Sequence, residues 1–181
     1  MNNLAPPEPF VGGVETEFGI HWQDLKSAEG DQYTADPLYA ANFFVSYLQA
    51  YMATNSPFRF SRKVSLWSIG TPNVTWPLDN GAKIHVDAGH PEYATGECDD
   101  PFFVALHSKA GEWFFELVLR DLNNKIAAMR KEDIREAVFK NNILNFNPVT
   151  PPPPDPIGPI SLQKNNADPS GNCYGAHANY L

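Results

Sequence analysis

Polar and apolar positions alternate with a period of two in two short stretches, and both stretches carry acids. In residues 10–20, FVGGVETEFGI, Val14, Thr16 and Phe18 alternate with Glu15 and Glu17. A period of two marks a half-buried strand, so the two glutamates share one face. In residues 82–87, Ile84 and Val86 alternate with Lys83, His85 and Asp87. This predicts a second strand with His85 and Asp87 on one face and the core on the other. Asp79-Asn80-Gly81 before it is a turn signal. After it, Ala88-Gly89 allows the backbone to bend, because glycine tolerates positive φ. Pro91 then holds His90 extended, so that Glu92 can turn back towards the face carrying Asp87.

Elsewhere the period changes to that of helices. Asp36-Pro37, a cap residue followed by proline, opens a predicted helix over 37–53. Leu38, Ala41, Val45 and Leu48 keep helical spacing there, and Phe43, Phe44, Tyr47 and Tyr51 widen the apolar surface. Asp99-Asp100-Pro101 opens a longer helix over 100–129, with acids suited to the positive end of the helix dipole. Its buried stripe is expected to be Phe103, Leu106, Ala110, Trp113, Phe114, Leu117 and Ile126. His107 is read as packed and hydrogen-bonded, Glu112 and Glu116 as solvated. Ala110-Gly111 marks a place where something can approach the backbone. Shorter strands are expected at 64–69, 73–76, 136–143, 160–164 and 173–181, the last with His177 and Asn179 on one face. Residues 1–9 read as a flexible tail. The rest, 10–181, reads as one unit, with a stiff proline-dense insert at 148–159.

Composition narrows the function classes. The chain has 181 residues, enough for one domain with a real core, and is 43% hydrophobic, which excludes a disordered protein. A formal net charge of −8 argues against nucleic acid as the main partner and leaves room for bound cations. No apolar run approaches a membrane span, and MNNLAPPEPF has no signal-peptide character. Cys98 and Cys173, the two cysteines, have neither zinc-site nor disulfide-framework spacing, so a reduced, cytoplasmic setting is expected.

The acids permit specific chemistry. Glu15, Glu17 and Glu92 offer oxygen ligands, and His85 or His177 can add nitrogen. Carboxylate-rich sites favour Mg²⁺ or Mn²⁺, often completed by nucleotide phosphate. There is no GxxxxGK[ST] loop and no GxGxxG, so a nucleotide would be held through metals. Asp87 beside such metals can act as base or nucleophile. Cys98 lies between Glu97 and Asp99, which disfavour its thiolate. The same residues also read as a charged edge strand and a solvated hairpin end.

Four blocks in order decide the weighting: GVETEFGI, NGAKIHVDAGHPEYATGECDDP, KAGE and KNNADPSGNCYGAHANYL. Together they resemble the Pup ligase and Pup deamidase/depupylase family, relatives of glutamine synthetase and the carboxylate-amine ligases. The resemblance covers nearly all of this chain but only the N-terminal part of a family member, and implies a C-terminal remainder of the same enzyme. It implies an α/β fold, a fragment of the glutamine-synthetase-like large domain, with an antiparallel-rich curved sheet and helices on its convex side. Glu15 matches the family's metal-binding glutamate, with Glu17 beside it; Asp87 matches the catalytic base; Glu92 matches a further Mg²⁺ ligand. His85 stands where the family usually has Tyr. His177, with Asn179, falls in the YGxHENY-like block that meets ATP and its metals. Ala178 replaces that block's Glu, which puts activity in question. The five-residue step from Asp87 to Glu92 and the long 54–79 excursion resemble the depupylases, while YATGEC resembles the ligases. The expected function is therefore an ATP- and Mg²⁺-dependent deamidase/depupylase acting on a Pup-like modifier and pupylated proteins. The alternatives are a Pup–protein ligase, or a non-catalytic binding homologue.

Overall fold

In the computed structural model, residues 10–22, 37–55, 75–128, 158–164 and 176–180 are described, and the account below concerns these. The 1–9 tail, the predicted strands at 64–69 and 136–143, and the 148–157 portion of the proline-dense insert lie outside them.

Among the described residues, seven strands and two helices follow in order: β1 Gly12–Glu17, β2 Gly19–Trp22, α1 Pro37–Asn55, β3 Thr75–Pro77, β4 Lys83–Asp87, β5 His90–Ala94, α2 Pro101–Ala127, β6 Ile160–Gln163 and β7 Ala176–Tyr180. Five form one sheet in the order β3-β4-β5-β1-β7, and β2 pairs with β6 apart from it. Every pairing is antiparallel. No helix among the described residues is long and apolar enough to cross a membrane.

The single strand expected over 10–20 is two strands, separated at Phe18. Its ladder with β5 runs out at Glu17 opposite Glu92. The Phe18 amide then donates to the Pro91 carbonyl (3.0 Å), and the chain leaves to pair with β6. Sequence periodicity did not single out β5, HPEYA, as a strand. Its polar His90 and Glu92 alternate with Pro91 and Tyr93, but the run is only five residues long, it is buried at all five positions, and Pro91 argues against a central strand. Pro91 is tolerated because it stands where the β1 ladder has ended, with only its carbonyl in use.

Both helices lie against the sheet face carrying Thr16, Ile84, Val86 and Tyr93, with α1 on β4 and β5 and α2 on β1 and β5. α1 is buried nearly all round, from Ala40 to Met52, which fits its apolar sequence. The Asp100 side chain caps α2 by accepting from the Phe102 amide (2.7 Å), with Pro101 next. The helix buries Val104, Gly111, Phe115, Val118, Leu122 and Ile126. This corrects the stripe read from sequence: Phe103, Leu106 and Trp113 are 46%, 50% and 64% exposed, and neighbouring Phe102 67%. α2 carries two apolar stripes on opposite sides, and the fold buries the other one.

Phe115 is the centre of the core, with the rings of Phe18, Phe44 and Tyr93 at 5.0, 5.4 and 6.4 Å. What approaches the backbone at Gly111 is Tyr93. A Cβ there would lie 2.3 Å from its ring. The Tyr47 hydroxyl donates to Asp121 (2.5 Å) and ties α1 to α2, while Lys125 pairs with Asp121 and covers the Tyr47 ring. Burial first, then Asp121, pushes the Tyr47 hydroxyl far up, so it stays a donor. The amide of Asn123 accepts from the Ile160 N–H and donates to its carbonyl (2.9 and 2.8 Å), docking β6 on α2.

Two outcomes follow. Gly111→Ala should gain about 1 kcal/mol of helix propensity but lose more to the Tyr93 clash, for a net destabilisation of about 1–2 kcal/mol. Urea unfolding checks this, and an unchanged or raised midpoint refutes it. The second concerns Glu112, held by Lys109 and Lys164 at 2.5 Å each. Burial pushes its carboxyl up, but the two lysines outweigh this and hold it below the usual 4.5. A lowered folded-state pKa means the contribution is present above about pH 4.5 and is lost as pH falls through the lower value. Thermal unfolding of wild type and Glu112→Gln should therefore differ at neutral pH and converge in acid. A gap constant across that range contradicts this.

Candidate functional site

The register of three strands builds the site on the sheet face away from the helices. Across β1, β5 and β4, Glu17 stands opposite Glu92, and Glu92 opposite His85. One step along, Glu15 stands opposite Ala94, and Ala94 opposite Lys83. Ala94 is small enough that Lys83 reaches over it to Glu15, Nζ to Oε1 at 2.9 Å. Asp87 ends β4 opposite His90.

The turn between these last two is two residues long. Ala88 has φ 46° and Gly89 φ 90°, the pair of positive values that matches the strand twist in a tight hairpin. Glycine takes this without penalty, whereas Ala88 costs about 1 kcal/mol there. The turn brings Asp87 back over β5. Carboxylate oxygens of Glu17, Asp87 and Glu92 all lie within 4.8 Å of one another. The three differ in access: Asp87 is exposed, Glu17 half-buried and Glu92 2% exposed. His85 Nε2 contacts Glu92 Oε2. The other ring nitrogen, Nδ1, is buried without a hydrogen-bond partner.

The candidates named from sequence thus fall in three places. Glu17, Asp87 and Glu92 converge, with His85 against Glu92. Glu15 lies one step away in its ion pair with Lys83. His177 and Asn179 lie on β7, at the register positions of Glu15 and Gly13, and Ala178 at that of Val14. A cavity of about 170 Å³ opens beside the Glu15–Lys83 pair, lined also by Gly12, Gly13, Thr95 and Glu97. Thr95 Oγ1 accepts from the Val14 amide (3.0 Å), and a Cβ on Gly13 would come within 3.3 Å of that oxygen. Sequence reasoning passed over Lys83 and Thr95. Lys83 shares the alternation of His85 and Asp87, but its reach to Glu15 depends on cross-strand register, which no local pattern reveals. Cys98 is buried with its Sγ 3.7 Å from His107 Nδ1, in keeping with a packed histidine.

Comparison with known proteins supplies the context. The family model described as Pup-ligase protein matches residues 11–181. The Pup–protein ligase of Paenarthrobacter aurescens (strain TC1) is 34% identical over 172 residues, covering 94% of this chain and 27% of that protein. The Pup–protein ligase of Mycobacterium avium (strain 104) is 39% identical over 105 residues, covering 58% of this chain and 18% of its own length. The chain thus spans about a quarter of the length of the first of these relatives. Among solved structures, the crystal structure of the complex between Prokaryotic Ubiquitin-like Protein Pup and its Ligase PafA matches with a TM-score of 0.52 and 23% identity, over 95% of this chain and 25% of that one. That likeness bears out the α/β, glutamine-synthetase-like fold, with an antiparallel sheet backed by helices. The relatives are named as ligases, which supports the ligase reading over the hydrolytic one preferred from the Asp87–Glu92 spacing. With the match running over nearly its whole length, the chain belongs to the Pup-ligase protein family.

Proposed function

We propose that this chain carries the metal-binding and proton-accepting carboxylates of an ATP- and Mg²⁺-dependent Pup–protein ligase, joining the C-terminal glutamate side chain of a Pup-like modifier to a lysine of a target protein. The convergence of Glu17, Asp87 and Glu92 at the β4–β5 turn, in a chain of this family, carries the reading. The donor set fits the ion. Mg²⁺ takes oxygen ligands at about 2.1 Å, so two on one ion stand at most about 4.2 Å apart. Oxygens within 4.8 Å of one another reach that with small side-chain adjustments.

Access divides the roles. Glu92 and Glu17, buried and half-buried, would hold the metal, whose charge offsets that of the nucleotide phosphates. Glu15, Lys83 and Thr95 border the cavity beside them, where ATP would lie, with His177 and Asn179 on the adjoining strand. Asp87 alone of the three is exposed at a strand end, where an incoming lysine can reach it. It would take a proton from the lysine ammonium as the amine attacks the modifier's phosphorylated γ-carboxyl group and phosphate departs. The two-residue turn favours a second reading, hydrolysis of the same bond, because that compact spacing resembles depupylases.

Intact-mass spectrometry separates these readings. Incubated at high concentration with ATP, Mg²⁺, a Pup-like modifier ending in glutamate and a lysine-bearing target, the chain should give a conjugate with the mass of the two minus water. Asp87→Asn should lower the rate at least about 100-fold. Release of modifier from a preformed conjugate, without ligation, would instead establish the hydrolase. Neither product would refute both. Glu92→Gln tests the metal site independently. Removing one of three clustered negative charges relieves repulsion, so the metal-free variant should melt no lower than wild type. Its melting temperature should no longer rise with Mg²⁺, whereas that of wild type should. A variant that keeps the Mg²⁺-dependent rise refutes this assignment of Glu92.

A further inference from the structure

We infer that His85 is a positioning residue for Glu92, standing beside the metal site; this rests on the metal reading proposed above. His85 lies directly opposite Glu92 in the β4–β5 ladder, and its Nε2 contacts Glu92 Oε2. The three-residue cluster whose ligand atoms lie mutually within 4.8 Å comprises Glu17, Asp87 and Glu92, without His85. The imidazole therefore touches one carboxylate of the cluster from the neighbouring strand and is not among the three residues whose ligand atoms lie mutually within 4.8 Å.

The orphaned nitrogen fixes how it does so. Nδ1 is buried and has no partner. A buried N–H left without an acceptor is costlier and rarer than a buried acceptor left without a donor. The arrangement thus suits the tautomer with its proton on Nε2, donated to Glu92 Oε2. The side chains are closed off enough for this to matter, at 2% exposure for Glu92 and 14% for His85. A nearly buried carboxylate facing Glu17 across the ladder is pushed away from its neighbours, and the His85 hydrogen bond opposes that drift. Groups that hold metal ligands in this way typically contribute a factor of about 10–100 in metal affinity.

Mn²⁺ binding, followed by calorimetric titration, tests the assignment without reference to turnover. His85→Met and His85→Gln have similar shapes, but only the glutamine has an N–H to donate. The Met variant should bind Mn²⁺ about 10–100-fold more weakly than wild type, and the Gln variant should recover most of that loss. Circular dichroism without metal confirms that each is folded, and His85→Leu replaces His85→Met if the latter is not. An apolar variant that binds as tightly as wild type overturns the inference, as does a Gln variant as weak as Met. Nitrogen coupling from an imidazole bound directly to Mn²⁺, seen by pulsed electron paramagnetic resonance, also overturns it, because His85 would then be a ligand. Wild type that binds no Mn²⁺ overturns the metal reading itself and the inference with it.

Discussion

The antiparallel register of β1, β5 and β4 is the constraint on which the rest of this structure depends. Side chains alternate faces along a strand, so a slip of one residue would turn Glu17, Glu92 and His85 into the core and expose Thr16, Tyr93 and Ile84. The register is pinned from both ends. The two-residue turn at Ala88-Gly89 sets Asp87 opposite His90. The bridge between Gly12 and Cys98, with both hydrogen bonds at 2.9 Å, closes the far end of the β1–β5 ladder. The strained backbone of Ala88 is tolerable because the paired strands on either side determine it.

Rigidity on the helix side serves precision on the acid side. β5 carries Glu92 on one face and Tyr93 on the other. Tyr93 is wedged against Gly111 and faces Phe115, so the strand cannot shift without opening the centre of the core. Three carboxylates that repel one another need such a platform, since nothing in their mutual interaction keeps them together. The core supplies the free energy, and the sheet transmits it to side chains that could not converge alone. The second layer, Tyr47 to Asp121 and Asn123 to Ile160, ties α1 and β6 to α2, the helix that carries Gly111 and Phe115.

Much of this was legible from local patterns. The alternation around Glu15 and Glu17 and around His85 and Asp87 placed these residues on shared faces, and the Asp100-Pro101 cap marked the start of α2. Two features were not, for different physical reasons. HPEYA alternates His90 and Glu92 with Pro91 and Tyr93 over only five residues, and a proline with buried polar partners makes so short a run hard to tell from a loop. α2 has apolar residues on two opposite stripes, and a period of 3.6 cannot say which faces the sheet. Gly111 held that information, since the close approach of Tyr93 is possible only on the side where a helix residue lacks a side chain. The convergence of Glu17 with Asp87 and Glu92 depended on strand order, which lies beyond any single stretch. The four-block resemblance matched Glu15 to the family's metal-binding glutamate and set Glu17 only beside it, whereas the acids whose ligand atoms lie together are Glu17, Asp87 and Glu92. Glu15 is drawn aside by Lys83.

The burial gradient within the cluster explains why three acids of similar chemistry need not do similar work. Glu92 is enclosed, with one oxygen engaged by His85, so it cannot reach out to a substrate. Its fixed position suits a ligand, for which small displacements matter. Asp87 sits exposed at the lip of a hairpin, where the lysine of the proposed reaction would approach and leave. Burying Asp87 as deeply would block that approach, and exposing Glu92 as fully would let it relax away from Glu17 into solvent. Placing one on the central strand and the other at its turn lets a single hairpin meet both demands, with the strained Ala88 joining them.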